Sequence, residues 1–143
     1  MGHALRESVR VLKSGGRIVD LRPHFVKAER SLRARREQVY CVDEEGQIHA
    51  ATLKRDLDGF WFTDRLIGEM VSTGCLRKEA GIVFPFNSYF HDLEAFDRFK
   101  SIRWDNASMT ATDRRNLVRT LRRNPGMRIR IDSPMQLNVY EVP

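Results

Sequence analysis

Residues 4–23 read ALRESVRVLKSGGRIVDLRP, and the organisation of the chain follows from them outward. Leu5, Val9 and Leu12 recur at i, i+4 and i+7 on one helical face, while Arg6, Arg10 and Lys13 recur at the same spacing on another. That is the period of a helix lying on a core. Gly15-Gly16 ends the helix, because glycine accepts the left-handed backbone of a helix C-terminus without a Cβ penalty. Arg17 to Leu21 then runs as a short apolar strand.

Within that stretch, residues 10–16 (RVLKSGG) carry a resemblance. The segment resembles the late part of class I S-adenosylmethionine-dependent methyltransferases, in which a helix ending in an RVLKPGG-type turn feeds the fifth strand of a Rossmann-like sheet. Ser14 stands where that family usually has proline. Residues 20–23 (DLRP) and the order of hairpin, helix and strand beyond them look like a methyltransferase subgroup. The resemblance covers nearly all of the chain, loosely after Pro23. It implies a single domain over 1–143 of α/β to α+β class: a partial Rossmann-like methyltransferase sheet with helix then strand, a β-hairpin, and further helices with antiparallel strands.

The family's cofactor elements lie upstream of this motif. They are a glycine-rich loop after the first strand and an acidic side chain after the second, a logic shared with dinucleotide folds. No G-x-G occurs in the sequence, and Gly15-Gly16 follows a helix instead of a strand. The resemblance therefore implies a C-terminal half that is not catalytic alone. No cofactor is expected for the isolated chain, and S-adenosylmethionine enters only if the missing half is supplied. The resembled fifth strand normally pairs with the fourth, so Arg17 to Leu21 would expose an edge and the first helix would lose cover. Exposed edges recruit partners. The expectation is a homo-oligomer, specifically a homodimer, or a complementing polypeptide, joined through the first helix and strand.

With 143 residues the chain can bury a sizeable core. Its 41% hydrophobic and 31% charged content is that of an ordinary globular domain. No segment approaches the run of about twenty apolar residues that a membrane helix needs, so no membrane partner is expected. The first helix is amphipathic and not the apolar core of a leader, which makes the cytoplasm the expected compartment. Cys41 and Cys75 lie far apart among apolar neighbours and read as reduced thiols, not as a disulfide framework.

The net charge of +6 and the pI of about 9.8 admit an acidic partner. Arginines concentrate in two places. One is the run Lys27, Arg30, Arg33, Arg35 and Arg36; the other is Arg114, Arg115, Arg119, Arg122 and Arg123, on a helix introduced by the capping-box pattern Thr110 to Asp113. Arg115, Arg119 and Arg122 share a face and are candidate phosphate-binding residues, with Leu117, Val118 and Leu121 as the core stripe opposite. A small basic RNA- or DNA-binding module is thus the alternative function, and a non-catalytic interaction protein a third. No aromatic interleaves the arginines to stack on bases, which favours a solvated face.

The remaining pattern is α+β. Residues 38–42 and 47–53 flank Asp43-Glu-Glu-Gly46 as a hairpin. Residues 58–63 lead into a helix with Leu66, Ile67, Met70 and Val71 as its stripe and Gly74 as its stop. A long strand is expected over 76–90, with Pro85 at a bulge or edge. Asp92 caps a helix carrying Leu93, Phe96 and Phe99. Asn124-Pro-Gly126 makes a turn, and strands over 127–131 and 136–142 are divided by Ser133-Pro134. His3, His24, His49 and His91 have no metal-ligand spacing, no G-x-S-x-G elbow occurs, and no catalytic residue is named. Asp20, Arg22 and His24 lie at the carboxyl end of the first strand, where open α/β sheets place ligands, and are the substrate-facing candidates. The competing reading has Asp20 capping a turn and Arg22 paired with a carboxylate. Residues 60–62 (FWF) with Trp104 line a pocket or pack a core.

Overall fold

A computed structural model of the chain describes residues 2–24, 34–56, 58–104 and 107–143. The elements in chain order are α1 (Gly2–Val11), β1 (Arg17–Pro23), β2 (Ala34–Val42), β3 (Gln47–Asp56), α2 (Asp58–Ser72), β4 (Arg77–Phe84), β5 (Asn87–Phe90), α3 (Leu93–Arg103), β6 (Ala107–Met109), α4 (Ala111–Arg123), β7 (Arg128–Asp132) and β8 (Met135–Glu141). The protein is mixed α+β, with two sheets whose described pairings are all antiparallel. Contacts gather into two compact units: α1, β1, α2, β4 and β8 form unit 1, and the other elements form unit 2.

Unit 1 carries a three-stranded sheet in the order β1-β8-β4. Because β8 runs antiparallel to both neighbours, β1 and β4 point the same way, with β2, β3 and α2 between them in sequence. The turn before β1 forms as its glycines dictate. Gly15 has φ +78°, and a Cβ on Gly16 would stand 2.8 Å from the Lys13 carbonyl. The Gly15 N–H donates to the Val142 carbonyl at 2.8 Å, and the Val142 N–H to that of Gly16 at 2.9 Å, so this turn is tied to the end of β8. Leu5 and Val9 from α1 and Ile67 and Met70 from α2 pack with Ile18, Leu76, Tyr140 and Val142.

Unit 2 has a five-stranded sheet in the order β5-β7-β2-β3-β6. Val39, Cys41, Ala51, Leu53, Ile129 and Ile131 from its strands make a core with Phe96, Trp104 and Leu117. Asp92 caps α3, its carboxylate accepting from the Ala95 N–H at 2.7 Å. Thr110 caps α4 reciprocally: its hydroxyl accepts from the Asp113 N–H at 3.0 Å and donates to the Asp113 carboxylate at 2.6 Å.

Several expectations need correction. Residues 76–90 are two strands, β4 and β5, in different sheets, because Pro85 has no N–H to continue a ladder. The strands on either side of Ser133-Pro134 likewise join different sheets. The helix expected after residue 63 already begins at Asp58, and β6 had no counterpart in the sequence reading. Among the described residues no helix is long and apolar enough to cross a membrane.

Candidate functional site

The three substrate-facing candidates come together in unit 1, on the face of the sheet that α1 and α2 cover. Strand alternation at i, i+2 and i+4 puts Ile18, Asp20 and Arg22 on one face, and the register sets them opposite Tyr140, Asn138 and Gln136. The Arg22 side chain is 4% exposed and lies between two carboxylates: Nε reaches Asp20 at 2.8 Å and a terminal nitrogen reaches Asp64 of α2 at 3.1 Å. Its other terminal nitrogen is 3.5 Å from the Phe60 carbonyl. Asn138 donates to Asp20 at 3.4 Å, and His24 Nδ1 lies 3.1 Å from the Gln136 carboxamide oxygen. The His24 N–H donates to the Pro134 carbonyl at 2.9 Å, which fixes the chain where β1 ends.

Space for this network depends on Gly81 of β4, since a Cβ there would stand 2.6 Å from Asn138 Oδ1. Tyr140 closes the row: burial raises its pKa above the ordinary phenol value, the Asp20 carboxylate adds to that, and Arg22 opposes it. The guanidinium is thus held between its carboxylates, while Asp20 and His24 are half-buried. Asp64, Gln136 and Asn138 were not singled out from sequence. The alternation Gln136-Leu-Asn138-Val-Tyr140 was their available signal, since it places Gln136, Asn138 and Tyr140 on one face.

At the opposite end of this sheet, paired arginines and glutamates flank the strands. Arg17 Nε donates to Glu79 at 2.8 Å, and Arg77 pairs with Glu141. The Arg77 hydrogen bond and charge hold the Glu141 carboxyl below its ordinary range.

The arginine candidates lie in unit 2. Arg115, Arg119 and Arg122 do share the exposed face of α4, with Arg114 and Arg123 beside them around a shallow groove of about 520 Å³. Val118 lies in this groove and is no part of the core stripe, which consists of Leu117 and Leu121. The helical angle explains this: Val118 falls between Arg114 and Arg122 on the wheel, some 100° from Leu117. Arg114 is held by Asp97, with one nitrogen 2.7 Å from its carboxylate.

In the other basic run, residues 27–33 lie outside the described residues. Arg35 is buried, with Nε 3.5 Å from Glu37 Oε1, an oxygen that also accepts from Arg55 at 3.2 Å. Ser133 donates to the second Glu37 oxygen. The Arg55 guanidinium lies 4.3 Å from the centre of the Trp104 ring, which itself packs edge-on against Phe99. Arg35 is therefore a core charge and not part of a solvated face. Trp104 belongs to that core, and Phe62 of α2 is exposed.

Both thiols are free. Burial pushes the Cys41 thiol up from 9.0 to about 11, while Cys75 is exposed. Among the described residues no three His, Cys, Asp or Glu side chains group to hold a metal ion. Gly15 and Gly16 are committed to a helix stop whose tight contact is with the Lys13 carbonyl. Compared with known proteins, the chain matches no family model, no curated protein and no solved structure.

Proposed function

We propose that unit 1 supplies the closing, acceptor-side strands of a class I methyltransferase-like sheet, and that it is not catalytic alone. The strand order carries the reading. β1 and β4 run parallel, separated in sequence by the β2–β3 hairpin of unit 2 and then α2, and the last strand slots antiparallel between those two. The resembled fold also ends its sheet with an antiparallel strand, next to the fifth strand that the RVLKSGG turn feeds. The Asp20–Arg22–Asp64 network and His24 then belong to a wall at the carboxyl ends of β1 and β4, where such sheets bind ligands. The methyl donor would be held by residues other than these.

The far edge of β1 has no strand partner among the described residues, and the uncovered face of the sheet is apolar. Val19 is 64% exposed, Leu21 57% and Ile82 60%, with Leu137 and Val139 between them. Further strands of such a sheet would pair with this edge, and elements packed on the sheet would cover this face. In the absence of another polypeptide, a second copy packed against this face covers it, so the isolated chain is expected to dimerise.

Light scattering tests this. A dimer is expected, reverting to monomer in the double variant Val19→Lys, Leu21→Lys with its helical content unchanged. A wild-type monomer at high concentration would overturn the proposed cover. Titration calorimetry with S-adenosylmethionine tests incompetence separately: micromolar binding by the isolated chain would refute it.

A further inference from the structure

The open face of the unit 2 sheet carries what the arginine runs lack. Register places Tyr89 of β5 opposite Arg130 of β7, Arg130 opposite Tyr40 of β2, and Tyr40 opposite His49 of β3. Residues opposite one another across antiparallel strands share a face, so these four form one row across four strands. Their chain neighbours Phe90, Ile129, Ile131, Val39 and Cys41 point the other way, into the core under the helices. The Arg130 guanidinium lies 4.9 Å from the centre of the Tyr40 ring, and His49 meets Tyr40 edge-on at 5.4 Å. Arg130 is fixed there by Asp132 at 2.6 Å and Gln47 at 2.6 Å. Tyr89 is 54% exposed, with Arg128 6.0 Å from its ring centre.

Cations continue along this face. Arg36 and Lys54, opposite each other on β2 and β3, are both exposed and follow the same alternation as Tyr40. At the other end, a groove of about 460 Å³ runs beside Tyr89, Arg128 and Arg130 to the acidic turn Asp43-Glu44-Glu45. Aromatic and guanidinium planes on an open sheet suit unstacked bases, and flanking cations suit the phosphates between them. The acidic turn closes one end to phosphate, and the face runs on toward Arg36 and Lys54 past Asp132, whose carboxylate is paired with Arg130.

We propose that this sheet face binds single-stranded nucleic acid, stacking bases on Tyr89, Tyr40 and His49 while Arg128, Arg130, Arg36 and Lys54 hold the backbone. A duplex is excluded because its bases are stacked on one another and offer the tyrosines no free ring face. The α4 arginines lie on a helix packed against the opposite face of the sheet and have no aromatic among them, so they offer phosphate contacts alone. The proposal concerns unit 2 and does not rest on the reading of unit 1.

Fluorescence anisotropy of the full chain with labelled decauridylate, its deoxythymidylate counterpart and a duplex of equal length, at low salt, tests it. Saturable binding of a single strand is expected, with the duplex at least about tenfold weaker. The RNA and DNA arms show whether the 2′-hydroxyl contributes. Tyr89→Ala is expected to weaken binding about tenfold and Tyr89→Trp to preserve it, since an exposed ring is replaced without opening the core. The triple variant Arg115→Ala, Arg119→Ala, Arg122→Ala is expected to change affinity less than about threefold. Absence of binding at low salt, a duplex bound as well as a single strand, or wild-type affinity in Tyr89→Ala would each overturn the proposal. Loss of binding in the α4 triple variant alone would move the contact to that helix and overturn it equally.

Discussion

The two sheets have opposite polarity. In unit 2 the helix-covered face buries Val39, Leu53, Ile129 and Ile131 beside the paired Arg35 and Glu37, and the open face carries Tyr40, His49, Arg130 and Tyr89. In unit 1 the covered face holds Asp20, Arg22, Gln136 and Asn138, while Val19, Leu21 and Ile82 point into solvent. A sheet built like that of unit 2 buries its apolar surface internally, which is the usual arrangement for an antiparallel sheet with one solvated face. One built like that of unit 1 leaves its apolar side uncovered, and a contiguous exposed apolar face marks an interaction site. The contrast is the physical reason for proposing a protein partner for unit 1 and a water-soluble, charged ligand for unit 2.

Each unit nevertheless buries an arginine, and removing the partner of each probes how enclosed the two networks are. The largest effect is expected in unit 2. Glu37 is 1% exposed and accepts from Arg35, Arg55 and Ser133. Glu37→Gln takes away the carboxylate and leaves two guanidinium groups against a neutral amide, so a loss of about 3–5 kcal/mol is expected. Denaturant titration with Cys41 labelling as the readout assigns that loss to unit 2. A loss under about 1 kcal/mol would mean that water reaches the pair and that the core is less closed than the geometry shows.

A smaller effect is expected in unit 1. Arg22→Met keeps the length of the side chain but leaves Asp20 and Asp64 facing each other without their shared cation. Those carboxylates are partly exposed, at 12% and 26%, so water screens their repulsion and about 2 kcal/mol is expected. Hydrogen exchange of the β1 and β8 amides reads this locally. If Arg22→Met instead costs as much as Glu37→Gln, the network is as enclosed as that of unit 2, and its claim to line an open wall fails.

These networks also show what a sequence can reveal. The grouping of Asp20, Arg22 and His24 follows from strand alternation alone, and the caps at Asp92 and Thr110 from short local patterns, which is why both were legible. Gln136 and Asn138 belong to the same site but come from the other end of the chain; only strand pairing brings them there. The same holds for Tyr89, Arg130, Tyr40 and His49, which come from four strands and appear in sequence as isolated residues. The division of residues 76–90 between two sheets was half legible: Pro85 signalled a break, but a local pattern cannot name which sheet each strand joins. Arg35 was misread for a related reason, because its burial is set by Glu37, Arg55 and Ser133 and not by its basic neighbours in the run.

The two cysteines give the mildest test of the contrast. Burial holds the Cys41 thiol near 11 against an ordinary 9.0, so at pH 8 its thiolate fraction is about a hundredfold below that of an unperturbed thiol, in a core that reagents enter only on opening. Cys75, exposed at the end of α2, is expected to react with a disulfide reagent at once and Cys41 only as unit 2 unfolds. The pH dependence has a definite sign. Because the folded state keeps the Cys41 proton more tightly than the unfolded state does, its contribution is fully present below pH 9 and is lost as pH rises toward 11. The stability of unit 2 should therefore decline across that window, and part of the decline should disappear in Cys41→Ala. Equal labelling rates for the two cysteines at pH 8 would show that the unit 2 core opens as readily as the surface of unit 1, and the distinction between a self-contained sheet and one awaiting its cover would fall with it.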